Sequence, residues 1–484
     1  MTRKGSEKRR TGCITCKKRR VKCDEGRPTC LRCRRGAREC SYAEPPVGCY
    51  SWDHLLQSKS PSPPLSHRVS GPVARNLDFF RCVVAPKIGG ELSSSSDFWT
   101  TAVMQLAMTE DAAMHGLQAI SLLYKDFTPG WGSSGENEAA LQQYNRALRA
   151  AASRELGTMA VLILSVIFTC IEFLRGNEAA AITHCRHGTL VSRLADAKQD
   201  SVQAMLQQLS VFPHFFSIGG FPELEPVRRA VRFETLPQAA LAMDDLMGQA
   251  VRLVRSMDAY RLGFEGAEMP AHARETQLSL LGNLSCWKTA YCDLGSRIGE
   301  ETPGHPLLMM RFRVCWVWAC IALEREETAN DAYHAEFADI LNLGSKAVAR
   351  ESDVGNFSFS MGMSPLLHFI VVKCRHLPMR LQALELLRSR GRRRESLWDT
   401  ETMCRIGELI IQREHGIMAV PGVEVAQWEY PAEEKRIRDS YVEDEVFLHT
   451  DDFGHQVSRR RIYLFVREGG MTRKEAAWIS LQPS

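Results

Sequence analysis

The spacing C-x2-C-x6-C-x6-C-x2-C-x6-C between Cys13 and Cys40 constrains this chain more than any other feature. C-x2-C-x6-C occurs twice, offset by 17 residues. A C-x2-C pair can turn both sulfurs toward one ion, and zinc prefers four thiolates in a tetrahedron. The six candidate ligands are Cys13, Cys16, Cys23, Cys30, Cys33 and Cys40. They fill one site and leave two thiols over, or fill two sites if two sulfurs bridge. The internal repeat requires the bridging pair to occupy equivalent positions, without saying which of the three pairs it is. The alternatives are a disulfide knot or buried free thiols. Thiols kept reduced at metal-ligand spacing favour the metal.

Charge divides along the chain as the cysteines do. Residues 1–40 carry 15 Lys and Arg against four acids, a net of +11, and the remaining 444 residues carry −7. Six thiolates and two Zn2+ would change +11 only to +9. A module this small buries little core, so zinc should supply most of its folding energy, on the order of 10 kcal/mol. So much positive charge on some forty residues calls for a polyanion, and DNA fits. The start MTRKGSEKRR has no apolar stretch behind it, and the longest apolar run, 159–171, is short for a bilayer. We therefore expect a soluble intracellular chain whose apolar run is a buried core helix.

The text GCITCKKRRVKCDEGRPTCLRCRRGAREC resembles the fungal six-cysteine binuclear zinc cluster of transcription factors, with its basic run after the second cysteine and Pro28 ahead of the fourth. The resemblance implies two Zn2+, with Cys13 and Cys30 bridging. One ion would take Cys13, Cys16, Cys23 and Cys30, and the other Cys13, Cys30, Cys33 and Cys40. It also implies that Arg19 and Arg20 touch base edges of a CGG-type half-site in the major groove, since Arg is the usual bidentate partner of guanine. Lys17, Lys18, Lys22, Arg34 and Arg35 are the phosphate candidates, because most Lys and Arg contacts to DNA carry no sequence information. Arg3-Lys4, Lys8-Arg9-Arg10 and Lys17 to Arg20 suit a nuclear import signal or a basic arm equally well.

The organisation expected is a cluster domain over 1–44, a Pro/Ser-rich linker over 45–75 and an all-α body over 76–484. Many relatives dimerise through a coiled coil after the cluster, but Tyr50, Trp52, Leu55 and Leu56 span too few heptads for one. That leaves monomeric binding or a homodimer through the body. Helical periodicity predicts helices over 137–155, 158–174, 237–257, 272–297, 305–327, 330–350, 364–374, 378–388 and 400–415. Thr109 and Asn177 read as N-caps of helices reaching about Tyr124 and Leu194. Val442 to Leu448 and Ile462 to Val466 read as a C-terminal β-hairpin across 451–454. This pattern favours a strand for the acidic stretch Asp439 to Phe453 over an activation segment. Segments 97–124, 166–188 and 371–399 resemble the fungal transcription-factor regulatory domain of the second type, whose role implied here is moderating activation and sensing a metabolite.

The fold class expected is thus a small two-zinc cysteine cluster, a linker, and a large all-α helical array with a short C-terminal β-hairpin. No P-loop, GxGxxG, GxSxG or HExxH occurs, so catalysis is not expected. Cys286, Cys292, Cys315 and Cys320 among Trp287, Trp316 and Trp318 read as core packing rather than a second metal site. His184, Cys185 and His187 lack a partner cluster, and the Met-rich helix at 243–257 reads as core. Arg388, Arg390 and Arg392 to Arg394 read as a solvated loop. The function expected is a nuclear, sequence-specific DNA-binding transcription factor for a metabolic gene set, with double-stranded DNA and the transcription machinery as partners. A metabolite sensor with a zinc docking module is the rival reading, but docking has no need of +9. An enzyme tethered to DNA is a second, and it lacks a polar constellation in the body.

Overall fold

In the computed structural model, the described residues are 13–41 apart from 20, 22, 25, 27 and 37, and 71–481 apart from 91, 93–96, 129–135, 154, 195–199, 217–231, 300–301, 349–355, 424, 426 and 451–455. The chain divides into two compact units, Met1–Arg68 and Val69–Ser484. Most of the expected linker, with Tyr50 to Leu56, lies outside the described residues. Its last stretch does not behave as linker. A helix opens at Pro72 and runs to Phe79, ahead of the boundary placed at residue 76. Proline is tolerated there because the first helical position has no intrahelical partner for its amide.

The second unit is a helical array. Its centre is the helix Thr158–Arg175, buried along most of its length. It is the one helix among the described residues long and apolar enough to cross a membrane, and its burial in the body fits the core reading. Gly176 ends it at φ 70°, in the left-handed region, and the Asn177 amide reaches back to the Glu172 carbonyl at 3.0 Å. Asn177 then caps Glu178–Leu194, its Oδ1 accepting from the Ala180 amide at 3.3 Å. The two helices approach closely at Gly188, where a Cβ would meet Ser165 Oγ at 2.3 Å.

Most of the expected helices are present: Glu136–Ala152, Leu236–Ser256, Ala273–Ile298, His305–Ile321, His334–Val348, Ser364–Lys373, Leu377–Arg390 and Thr400–His415. Thr109 is not an N-cap. It closes Val103–Thr109, and Glu110 takes the extended backbone before Asp111–Lys125. The span 305–327 stops at Ile321, and a 3-10 turn, Glu327–Tyr333, precedes His334.

The expected C-terminal hairpin is present as β4 Asp439–Thr450 and β5 Gln456–Glu468, its turn at 451–454 lying outside the described residues, and a third strand, β6 Met471–Leu481, extends it to an antiparallel meander. (β1 to β3, Phe357–Ser358, Arg394–Glu395 and Trp398–Asp399, form a separate small sheet.) Val442 pairs with Ile462 and Ile462 with Ala477. Alternation buries Ile462, Leu464 and Ile479 against Ile406, Ile410 and Ile437. The acidic stretch lies in β4 as far as Thr450, and its residues 451–453 fall outside the described residues. Asp439 pairs with Arg255 at 3.2 Å, and Glu443 accepts from the Tyr463 hydroxyl at 3.0 Å.

Buried charges tie the segment that leads into this sheet to the helices. Glu414 accepts from Arg375, Arg380 and the Ile437 amide. Lys373 and Arg375 both pair with Glu327, at 3.0 and 3.1 Å. Arg436 reaches Asp331 with two nitrogens. Burial pushes the Glu327 carboxyl up, but Lys373 and Arg375 hold it down at about 2. The arginine run is tied in at part of its length, while Arg390 and Arg393 are exposed as expected. Arg388 donates to Glu408 at 2.8 Å, Arg393 to the Asp126 carbonyl at 3.1 Å, and Arg394 to the Leu174 carbonyl at 2.9 Å.

Candidate metal centre

The first unit is built as two copies of one turn. Cys13 precedes the helix Ile14–Lys18, and Cys30 precedes Leu31–Arg35. In each copy the first thiol accepts the amide of the second: Cys16 N to Cys13 Sγ at 3.3 Å, and Cys33 N to Cys30 Sγ at 3.4 Å. The C-x2-C spacing thus places a thiol at each helix N-terminus, where amide dipoles favour its anionic form. Asp24 was missed by sequence reasoning. Its carboxylate accepts from the Leu31 amide at 2.8 Å and the Arg32 amide at 3.3 Å, locking the second helix start. The Leu31 hydrogen bond holds that carboxyl below the usual range. Its signal was an acid within a basic stretch. Thr15 Oγ1 to the Glu39 carbonyl at 2.8 Å and Ile14 N to the Ser41 carbonyl at 2.7 Å close the module.

The six thiols converge. Cys13, Cys16, Cys30 and Cys33 are fully buried, and Cys23 and Cys40 pack against them. Two sets of four have all their sulfurs within 4.8 Å of one another: Cys13, Cys16, Cys23 and Cys30, and Cys13, Cys30, Cys33 and Cys40. Only Cys13 and Cys30 belong to both. A zinc tetrahedron with Zn–S near 2.3 Å has sulfurs about 3.8 Å apart. Cys13–Cys30 and Cys16–Cys30 are both 3.8 Å, and Cys13–Cys33 is 3.7 Å. The donor set and its spacing fit two zinc ions, and no described cysteine is in a disulfide.

Around the cluster, the side chains of Lys18, Arg19, Arg34 and Arg35 are exposed at the helix ends. Lys17 lies within the first helix, and Arg20 and Lys22 fall outside the described residues. Among the described residues no other group of ligands forms a metal-sized set. Of the cysteines read as body core, Cys315 is buried and Cys320 half-buried, whereas Cys286 and Cys292 are exposed on the outer face of their helix. His184 is engaged by the Tyr144 hydroxyl at 2.9 Å, and Cys185 is buried beside Thr169. The Met-rich helix is core at Met243, but its Met247, Val251 and Val254 face a cavity.

Residues 11–47 match the fungal Zn(2)-Cys(6) binuclear cluster domain. The chain is similar to the aspercryptin biosynthesis cluster-specific transcription regulator of Emericella nidulans, 29% identical over 37% of this chain and 34% of that protein. It is also similar to a Zn(2)-C6 fungal-type transcription factor of Aspergillus fumigatus, 33% identical over 24% of this chain and 32% of the other. The sterol uptake control protein 2 of Candida albicans is 53% identical over 12% of this chain and 7% of its own. The chain thus aligns with about a third or less of the length of these relatives. No solved structure matches it. The N-terminal unit is a fungal binuclear zinc cluster, of the kind carried by fungal zinc-cluster transcription regulators.

Proposed function

We propose that the chain is a nuclear, sequence-specific DNA-binding regulator of RNA polymerase II transcription, acting on a metabolic gene set. The observation that carries this is the pairing of a six-thiol cluster with exposed Lys18, Arg19, Arg34 and Arg35 on the two helices it anchors. A purely structural zinc module needs no such cationic surface. In this reading Cys13 and Cys30 bridge two zinc ions, Cys16 and Cys23 complete one site, and Cys33 and Cys40 the other. Arg19 and Arg20 read a CGG-type half-site, while Lys17, Lys18, Lys22, Arg34 and Arg35 hold phosphates. The body is a regulatory domain of the second fungal type, and it provides any homodimer contact and the link to the transcription machinery. The name of the aspercryptin-cluster relative supports a biosynthetic gene cluster as the target set.

The test is selection from random duplexes with the zinc-loaded full chain at about 150 mM salt, where phosphate contacts alone give weak binding. Enrichment of CGG-type half-sites is expected, and their number and spacing report monomer or dimer. Absence of enrichment from folded, zinc-bound protein would overturn the reading.

A further inference from the structure

The body contains a cavity of about 650 Å3, well within the range of drug-sized ligand sites. Its walls come from helices Leu236–Ser256, His305–Ile321, Ser364–Lys373 and Thr400–His415, with β4 and β5 closing one side. Four aromatic rings make a continuous strip along it. Trp398 meets Phe215 at 5.1 Å, Phe215 meets Trp318 at 5.5 Å, and Trp318 meets Phe369 at 5.4 Å. This aromatic strip gains contacts chiefly from an apolar occupant, while Arg255, Asp258, Lys373, Asp439 and Arg460 make part of the lining polar.

Most charged groups at the rim are already used, although Arg261, 3.8 Å from Asp258, keeps a buried Nε without a hydrogen-bond partner. Arg255 donates to Asp258 and Asp439 at 3.2 Å each and to the carbonyls of His214 and Phe215. Lys373 is held by Glu327 and the Arg438 carbonyl. A net charge on the occupant would therefore find its counter-ion spent. His368 differs. It sits on the cavity wall with a half-buried ring and a buried Nδ1 that has no hydrogen-bond partner. Burial pushes its imidazole down to about 4, so the ring is neutral near pH 7.

We propose that this cavity is a binding site for an uncharged, largely apolar fused-ring molecule carrying an oxygen that hydrogen-bonds to His368. The aromatic strip supplies flat faces to stack on, in offset or edge contact. The exposed edge of the neutral imidazole supplies the polar contact that orients the ligand, its shielded Nδ1 being out of an occupant's reach. The inference rests on the body alone and stands whether or not the cluster reads DNA.

Nile red, an uncharged fused-ring ketone, is the probe, titrated into the zinc-loaded full chain and followed by its fluorescence. Saturable one-to-one binding is expected, stronger than that of anionic 8-anilinonaphthalene-1-sulfonate. His368→Phe keeps the ring's size and removes the hydrogen bond, so binding should weaken about fivefold. Val251→Trp, which fills the space, should abolish saturable binding while the cooperative melt persists. Non-saturable wild-type binding, or affinity unchanged in His368→Phe, would overturn the proposal. If Val251→Trp fails to fold, the His368→Phe comparison decides alone. Tighter binding of the anionic probe would overturn the assignment of an uncharged ligand.

Discussion

Cys13 Sγ and Cys30 Sγ lie 3.8 Å apart, and each accepts the amide of the cysteine three residues on. One pair of thiols thus starts both helices and is the pair common to both four-sulfur sets. The two cysteines occupy equivalent positions in the internal repeat, as a bridging pair must.

Cys30→Ala leaves five thiols, too few for eight zinc–sulfur bonds. The full-length variant should hold fewer than two zinc ions and lose half-site binding, since metal binding worth on the order of 10 kcal/mol is the module's folding energy. Zinc released to a chromophoric chelator, counted per chain, checks this. Two ions retained would refute the bridging assignment.

Arg19→Ala should cost about 1–3 kcal/mol on a CGG-type half-site and little on random duplex. Lys18→Ala should weaken both alike and lower the salt slope by about one. Titrations at several salt concentrations separate the two. Equal losses would place Arg19 on phosphate.

Glu414→Ala removes the carboxylate that holds two fully buried guanidiniums. Stranding buried charge of this kind costs about 3–5 kcal/mol. A lowered melting temperature of the full chain is expected, with zinc content unchanged. A melt like the parent's would mean that Arg375 and Arg380 find other acceptors.

Acid should loosen the body in two steps. Burial holds His184, His368 and His415 each down at about 4 in the fold, so the unfolded chain takes up protons first, and stability falls as pH drops from about 6.5 to 4. The Glu327 value is also lowered, and its contribution is lost between about 4.5 and 2. Denaturant titrations at pH 7, 5 and 3 should show both, with the first step reduced in His368→Phe. A flat profile from pH 7 to 5 in the parent would contradict a buried neutral imidazole.

Gly407→Ala places a Cβ within 2.5 Å of Val371 Cγ1. Overpacking of this kind costs about 1–3 kcal/mol, read in the same denaturant titrations. No loss would mean that helices Ser364–Lys373 and Thr400–His415 can move apart freely.

Local patterns explain where the sequence is a good guide. Cysteine spacing encodes the cluster because metal geometry is short-range, and Asn177 is legible because a cap acts within one turn. Thr109 misleads because two acids follow it and imitate a first turn, although the helix break falls at Glu110. The strand Met471–Leu481 is hidden by its charged and small residues, which do not alternate cleanly. The arginines at 388–394 look solvated because a charge run usually is, yet a guanidinium can span the gap to a distant carbonyl. The cavity is illegible for a further reason: Met247, Trp318, His368 and Trp398 meet only through the packing of separate helices.

The Asp331–Arg436 ion pair, with the hydrogen bonds from Arg436 to the Glu327 carbonyl and from the Ile437 amide to Glu414, bears on how this chain tolerates being shortened. A stop codon or a protease cut ahead of Arg436 would not release an idle tail. It would leave the Asp331 carboxylate without its guanidinium, open one side of the cavity and uncover Ile406 and Ile410. Splice forms, truncated alleles and expression fragments that stop there should therefore be unstable proteins rather than smaller regulators, and fusion partners belong beyond Leu481.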